Sequence, residues 1–363
     1  MKIMEIIPHL QTGGGEKIVV DLSNEFADVG HECSIVTLYE PSKDDVLRRY
    51  INDNVMTATL NKRPGADFCC MFRMVKYINK YKPDIVHVHL AAIMYVLIAA
   101  ICCRKVKFFA TLHSEASREA GSGISKWIRI FLFRFKIVTP ITISEESEKS
   151  FEEFYGFPSK MIPNGSSIYI PKTEETSKYE KYRDSVDYLF LHAGRIHKVK
   201  NQLMLVEAFE RILHRGINAR LLIAGRVDDE SVFNQLKSHF SERIVYIGEQ
   251  SDVRAIMSIS NAFCLSSKME GMPITIIEAM SVGCPTICTP VGGCINMIEN
   301  GVNGFISQDV NAESYELKIK EFCELDKTKL SRIKERCVTE FKTKYSIANT
   351  ASLYLNLFSN EKE

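Results

Sequence analysis

Short apolar runs alternate with amphipathic stretches along the first half of the chain. Runs at Ile3–Ile7, Glu32–Leu38, Val55–Leu60, Asp84–His89, Val106–Leu112 and Val138–Ile143 have the length and β-branched content of strands. Between them, Lys17–Val29 and Phe68–Lys80 place apolar residues at helical spacing. Strand, helix, strand in repetition predicts a parallel sheet covered on both faces. The stretch 168–187, IYIPKTEETSKYEKYRDSVD, is charged, lacks a clear period and contains Pro171, so it reads as an interdomain segment. The alternation then restarts. Strands are expected at Tyr188–Ala193, Arg220–Ala224, Arg243–Ile247, Ala262–Ser266 and Pro285–Thr289. Helices are expected at Gln202–His214, Glu230–Phe240, Val253–Ser260 and Ile274–Val282. This is a second doubly wound α/β unit. From Ser314 onward the chain reads as two charged helices.

A chain of 363 residues exceeds the roughly 250–300 that one core supports, which agrees with two domains. The division expected is residues 1–168, a linker at 169–187, a second domain at 188–340, and a terminal segment at 341–363. A net charge of +1 argues against wholesale nucleic-acid binding. The 11 cysteines are an odd number, mostly in apolar runs, with no C-x-x-C pair, which points to buried free thiols in a reducing compartment. The apolar part of MKIMEIIPHL is too short for a signal peptide. The apolar run Leu90–Cys103 falls short of the ~20 residues that span a bilayer, so a core helix is expected. The protein is expected to be cytoplasmic.

Four segments carry candidate chemistry. In SSKMEGMPITIIEAMSVGCP, a strand ends near Ser266, a loop holds Glu270, Gly271 and Met272, and Pro273 stands as first residue of a helix running through Ile274 and Glu278. The positive end of that helix faces the carboxyl edge of the sheet, where a diphosphate fits. Glu270 and Glu278 can each accept hydrogen bonds from sugar hydroxyls. In LHAGRIHKVKNQ, Arg195 and Lys200 sit at a strand-to-helix junction with Asn201 as helix cap; they suit a diphosphate, or are simply solvated surface cations. In PHLQTGGGEKIVV, Gly13–Gly15 form a loop allowing close approach, although Ile18 stands where a dinucleotide fingerprint needs glycine. In TLHSE, His113 ends a strand. His87 and His89 share a strand face at metal-ligand spacing, but with no third ligand evident packing is preferred. The stretch ISKWIRIFLFRFK, with Lys126, Arg129, Arg134 and Lys136, fits either a membrane-surface helix or a core-facing helix with a basic rim.

The chain resembles glycosyltransferase family 4, retaining enzymes of the GT-B fold, in which two Rossmann-like domains face each other across a cleft. The resemblance runs from GGGEKIVVDLSNEFADVGHECSIVT through DIVHVHL, TLHSE, ITISEES and MIPNGSSI. It continues through HAGRIHKVKNQLMLVEAFERI, LLIAG and EGMPITIIEAMSVGCPTICTPVGG to MIENGVNGFI. Glu270 and Glu278 look like the family's E-x7-E motif. The resemblance implies that Arg195 and Lys200 bind the diphosphate of a nucleotide-sugar donor and that Glu278 holds the ribose. Glu270 and the backbone of Gly271–Ile274 then hold the sugar and phosphates, and His113 lies beside the reacting carbon. It further implies that a Gly14–Gly15 loop closes on the phosphates, that Gly248–Gln250 pass near the base, and that a helix around Tyr345–Ser359 returns to the first domain. Asn296 stands where the family commonly has Glu, which puts the local helix start in question.

The implied activity is hexosyl transfer to a sugar or lipid-linked glycan acceptor in surface polysaccharide synthesis, with contact to the inner membrane face. No cofactor is expected and, since two cations and a helix end neutralise the leaving group, no metal. A nucleotide-sugar 2-epimerase and a non-catalytic nucleotide-sugar-binding subunit share the architecture.

Overall fold

The structure, a computed structural model, describes residues 1–121 and 123–360. It divides into one unit of Met1–Ser167 with the terminal segment from Ser346, and a second unit of Ile168–Tyr345.

The first unit carries a seven-stranded, wholly parallel sheet: β1 (Lys2–Ile7), β2 (Glu32–Thr37), β3 (Met56–Thr59), β4 (Ile85–His89), β5 (Lys107–Leu112), β6 (Thr139–Thr142) and β7 (Lys160–Met161), in the order 3-2-1-4-5-6-7. Helices α1 (Gly14–Asp28), α2 (Phe68–Tyr81), α3 (Ile93–Cys102), α4 (Ala116–Ala120), α5 (Ile124–Arg134) and α6 (Glu145–Tyr155) connect the strands. Local chemistry sets several starts. Asp67 accepts the Cys70 amide at the head of α2, and Ser144 and Ser147 form a reciprocal cap on α6. The apolar run Leu90–Cys103 becomes α3 with its preceding turn, inside the core.

In the second unit the helix α7 (Thr173–Glu180) precedes a six-stranded parallel sheet: β8 (Tyr188–Ala193), β9 (Ala219–Ala224), β10 (Ile244–Gly248), β11 (Ala262–Leu265), β12 (Thr286–Cys288) and β13 (Gly304–Ile306), ordered 10-9-8-11-12-13. Its helices are α8 (Gln202–His214), α9 (Glu230–Lys237), α10 (Arg254–Ile259), α11 (Ile274–Ser281), α12 (Cys294–Met297), α13 (Ala312–Cys323) and α14 (Lys327–Glu340). Both strand orders reverse beside the first strand of their unit. Such a switch point leaves a crevice at the carboxyl edge.

The last helix, α15 (Ile347–Asn360), belongs to the first unit and lies against α1. Phe358 is its anchor, with ring centroids 4.7 Å from Phe109, 5.8 Å from His87 and 6.1 Å from Phe26. Residues 361–363 of the expected terminal segment lie outside the described residues.

The structure departs from the sequence reading at several elements. The segment 168–187 contains α7, whose Tyr179 hydroxyl donates to Gln250 Oε1 at 2.6 Å. The tail after Ser314 holds parts of three helices rather than two, because a wide helical turn at Phe341–Tyr345 separates α14 from α15. Strands β7 and β13 were not anticipated; two and three residues are too short to show a period. The helix α12 forms with Asn296 inside it, so that substitution does not abolish the turn.

Phe358→Ala should cost about 3–5 kcal/mol, since it removes a ring buried among four aromatic neighbours. Leu353→Ala, on the exposed side of the same helix, should stay within about 0.5 kcal/mol. Urea unfolding of both variants checks this; equal effects would mean that α15 is not held through Phe358.

Candidate active site

In the second unit, the candidate residues gather at the carboxyl ends of β8 and β11. Beyond β8 the chain runs through Gly194, Arg195 and Lys200 before α8 begins. This loop is pinned from beneath. Gln202, fully buried, donates to the Arg195 carbonyl at 2.8 Å, and Ser266 Oγ donates to the Lys200 carbonyl at 2.8 Å. His192 Nδ1 donates to the Cys264 carbonyl at 2.9 Å, so its Nε2 is the lone-pair nitrogen and accepts from Gln202 at 3.2 Å. Burial holds the His192 pKa down at about 4, which agrees with a neutral ring. Asn201 does not cap α8 as expected: it sits in the left-handed region at φ 57°, with no side-chain bond to the helix.

The loop after β11 brings Glu270 to Lys200, with Nζ and Oε1 2.6 Å apart, and Ser267 Oγ donates to the same oxygen at 2.5 Å. Both side chains remain partly accessible, at 23% for Lys200 and 10% for Glu270. Arg195 is half open to solvent and pairs with Asp228 at 2.9 Å, which it shares with Arg226 at 2.8 Å. Burial raises the Asp228 pKa, but the hydrogen bonds and charges of Arg226 and Arg195 outweigh it and leave it lowered. Neither expected phosphate cation is therefore simply a solvated side chain.

Pro273 occupies the cap position of α11 rather than its first turn, with ψ 113°, and the helix begins at Ile274. Pro273 offers no side-chain cap, and of the first-turn amides that of Ile276 donates to the Pro273 carbonyl at 3.1 Å. Glu278 is buried inside α11. Glycines let a second segment close on this loop. Gly292, at φ 48°, lies where a Cβ would strike the Glu270 carbonyl, and the Gly293 amide donates to the Gly271 carbonyl at 2.7 Å. Met272 and Ile274 are buried beside it. Gly248 ends β10 at φ 75°; Gln250 spends its amide nitrogen on the Ile247 carbonyl at 2.7 Å and its oxygen on Tyr179.

In the first unit, Gly14 and Gly15 are not a loop. They form the first turn of α1, with Gly13 at the cap position. Gly15 lies against His113: a Cβ there would stand 3.4–3.5 Å from the imidazole ring, in ordinary van der Waals contact. His113 follows β5, and its backbone amide donates to Glu119 Oε2 at 2.8 Å. Arg129 is buried and directed at Glu119, 3.8 Å away, so it is not among the surface cations of its helix.

The expectation that no third group lies near His87 and His89 is corrected. A third group, Glu5 on β1, lies beside them because Glu5 and His87 are register partners and His87 and His89 share one strand face. Glu5 meets His89 Nε2 at 2.6 Å and His87 Nδ1 at 3.0 Å. Tetrahedral metal ligands at about 2.0–2.1 Å would stand about 3.3 Å from one another, so these separations are those of hydrogen bonds. His87 Nε2 meets Thr111 Oγ1 at 2.7 Å, and Thr111 meets the Tyr354 hydroxyl at 2.9 Å. His89 Nδ1 meets His113 Nε2 at 3.0 Å. Burial raises the Glu5 pKa, but attraction to His87 and hydrogen bonds from both histidines win and bring it down to about 2. Burial and His87 push His89 down to about 4, and burial with His89 takes His113 well below the ordinary value. Sequence reasoning missed Glu5, Glu119, Asp228 and Ser267. Glu5 had a signal: a charge in the middle of an otherwise apolar strand.

Two parallel-sheet units, with cations and an uncapped helix start at a sheet's carboxyl edge, have the form of an enzyme acting on a phosphorylated ligand. Residues 12–167 match Glycosyltransferase Family 4 and residues 173–337 match Glycosyl transferases group 1. The chain belongs to the family 4 glycosyltransferases, with the GT-B fold. It is similar to the N-acetyl-alpha-D-glucosaminyl L-malate synthase of Bacillus anthracis, 23% identical over 96% of each chain. It is also similar to the UDP-Gal:alpha-D-GlcNAc-diphosphoundecaprenol alpha-1,3-galactosyltransferase of Escherichia coli, 26% identical over 81% of this chain and 79% of that one. Structures of Anabaena HepE in complex with UDP and with UDP-glucose superpose with a TM-score of 0.84 at 18% identity, over 99% of this chain and 100% and 99% of theirs.

The neutral buried histidines fix a pH response. His89 and His192 have folded pKa values lowered to about 4, so unfolding takes up protons between pH 6.5 and about 4. Their stabilisation is complete above pH 6.5 and is lost as pH falls through that window, by at most about 1.4 kcal/mol per pH unit each. The melting temperature should fall between pH 7 and 4.5, and His192→Gln should flatten the fall. A pH-independent melting temperature across that range would contradict neutral burial.

Proposed function

We propose that the chain transfers a hexose-type sugar, with retention of anomeric configuration, from a nucleotide-diphosphate sugar to a lipid-linked glycan in surface polysaccharide synthesis. The observation that carries the donor half of this reading is the Lys200–Glu270 pair beside the uncapped start of α11. A diphosphate arriving there meets the helix N-terminus and competes with Glu270 for Lys200 and with Asp228 for Arg195. Glu270, once displaced, is an acceptor for sugar hydroxyls. Glu278 takes the ribose, Gly271, Met272 and Ile274 offer backbone N–H groups (Pro273 has none), and Gly248 with Gln250 lies toward the base. In the first unit His113 serves the transferred sugar.

In the reaction the C1–O bond to the diphosphate breaks and its electron pair stays on the leaving oxygen. Lys200, Arg195 and the helix end stabilise that charge as it grows. The acceptor oxygen forms the new bond to C1 on the same face, and its proton passes to the departing phosphate oxygen. These cations supply the charge a metal would otherwise bring, so the proposal needs no metal or cofactor. The donor assignment draws support from the similar HepE, crystallised with UDP and UDP-glucose, and the acceptor class from the E. coli relative, named for a diphosphoundecaprenol acceptor.

A lipid-linked acceptor calls for a membrane surface. Among the described residues no helix is long and apolar enough to cross a bilayer. On α5 and just beyond it, Ile124, Trp127, Phe131 and Phe135 form an exposed stripe, with Arg134 and Lys136 exposed beside it. Aromatic and basic side chains on one helix face suit an anionic bilayer. Trp127→Ala with Phe131→Ala should weaken co-sedimentation with phosphatidylglycerol vesicles about tenfold or more and leave the melting temperature unchanged. Undiminished vesicle binding would remove α5 from the membrane reading.

The donor site is tested by thermal unfolding against UDP, GDP, ADP, CMP and dTDP. One nucleotide at 100 times its dissociation constant should stabilise the wild type by about 2.7 kcal/mol and Glu278→Gln much less. With the matching donor, Lys200→Ala should lower kcat by about 100-fold or more. Stabilisation by none of the five, or equal stabilisation of Glu278→Gln, would overturn the assignment.

A further inference from the structure

We infer that Glu5, acting through His89, fixes the tautomer of His113 so that its Nδ1 presents a bare lone pair as the acceptor for a hydroxyl of the transferred sugar. The assignment of that ligand rests on the role proposed above for His113; the tautomer itself rests on geometry alone.

A carboxylate has no proton to give. Glu5 is fully buried and meets nitrogens of two histidines, His89 Nε2 at 2.6 Å and His87 Nδ1 at 3.0 Å. Each of those nitrogens must donate. A neutral imidazole carries one N–H, so with its proton on Nε2, His89 has a lone pair on Nδ1. The atom facing that lone pair, 3.0 Å away, is His113 Nε2. It must donate, which leaves Nδ1 of His113 unprotonated. Among the described residues Nδ1 has no hydrogen-bond partner. Gly15 packs against the ring itself, where a Cβ would stand 3.4 Å from Cγ and 3.5 Å from both Cδ2 and Nδ1. The backbone amide of His113 is held separately by Glu119 at 2.8 Å, so strand end and ring orientation are set by different carboxylates.

The relay has a direction. Charge at Glu5 draws a proton toward His89 Nε2, and every later hydrogen bond follows. His113 is therefore an acceptor. It favours a hydroxyl, which can donate, over a phosphate oxygen, which cannot, and it has no proton to give at Nδ1. Glu5 and His89 are positioning residues.

The test is the tautomer of His113 in ligand-free, 15N-histidine-labelled full-length protein near pH 7.5, read from long-range 1H–15N correlations and assigned with His113→Gln. Wild type should show a protonated, pyrrole-like Nε2 and an unprotonated, pyridine-like Nδ1. Glu5→Gln, whose amide oxygen still accepts from His89, should keep that pattern. Glu5→Leu, which accepts nothing, should lose it. With the nucleotide-sugar selected by the stabilisation panel, Glu5→Leu should lower kcat/KM by about tenfold, the worth of one hydrogen bond, and Glu5→Gln should stay near wild type. A wild-type His113 protonated on Nδ1, or a Glu5→Leu pattern identical to wild type, would overturn the relay. If no nucleotide-sugar is turned over, the donor reading fails while the tautomer still decides the relay. Should Glu5→Leu not fold, His89→Phe replaces it: it leaves the Glu5–His87 pair and removes the acceptor for His113.

Discussion

A carboxylate sealed inside a sheet has to be met by donors, because an unpaired buried charge costs far more than any single contact returns. Glu5 imposes that condition on the first unit. Its position in β1, the strand at which the sheet order reverses, sets it beside β4. The donors come from two histidines of β4, and the far side of His87 is closed by Thr111 and the Tyr354 hydroxyl of the terminal helix. The polar seam runs from the helix that ends the chain to the carboxyl edge of the sheet, where His113 emerges. Structure and candidate chemistry are one network here, so altering one end reaches the other.

The second unit meets the same electrostatic condition in a different way. Lys200 and Glu270 pair where solvent still reaches them, and Arg195 shares Asp228 with Arg226. Pairs that remain partly hydrated exchange partners at little cost, whereas the Glu5 cluster cannot. In the donor binding proposed above, an anion would meet cations that are oriented yet replaceable. The rigid part lies below: the Gln202 bonds, the Ser266 hydroxyl and the Gly293–Gly271 contact hold the backbone while the side chains trade partners.

Much of this was legible in the sequence, and the pattern of what was not is physical. β8 and α8 emerged with the residues read from their periodicity, since each buries one face over many residues. β7 and β13 escaped because two or three residues carry no period. The cap at Asn201 was misread because residue preference does not specify φ, and here the backbone turns left-handed. Gly14 and Gly15 were read as a loop because glycine signals turns; in the structure they open α1 with helical backbone, Gly15 lying against the His113 ring. Arg129 was counted as surface because its neighbours on the helix are, and only tertiary structure turns it toward Glu119. The Glu5–His87–His89 cluster depends on strand order, which local pattern does not contain.

Two histidines, one in each unit, show how the same ring is committed to opposite faces. His192 gives its Nδ1 proton to a backbone carbonyl, so Nε2 is left to accept from Gln202, and the ring is consumed by structure. His113 has Nε2 against His89, so Nδ1 is left, and no part of the protein described here takes it. A backbone carbonyl is a fixed acceptor; a neighbouring imidazole is an acceptor only because a third group makes it so. That third group is Glu5. The distinction between a structural and a functional histidine thus lies less in burial, which lowers the pKa of both, than in whether the second nitrogen is already spent.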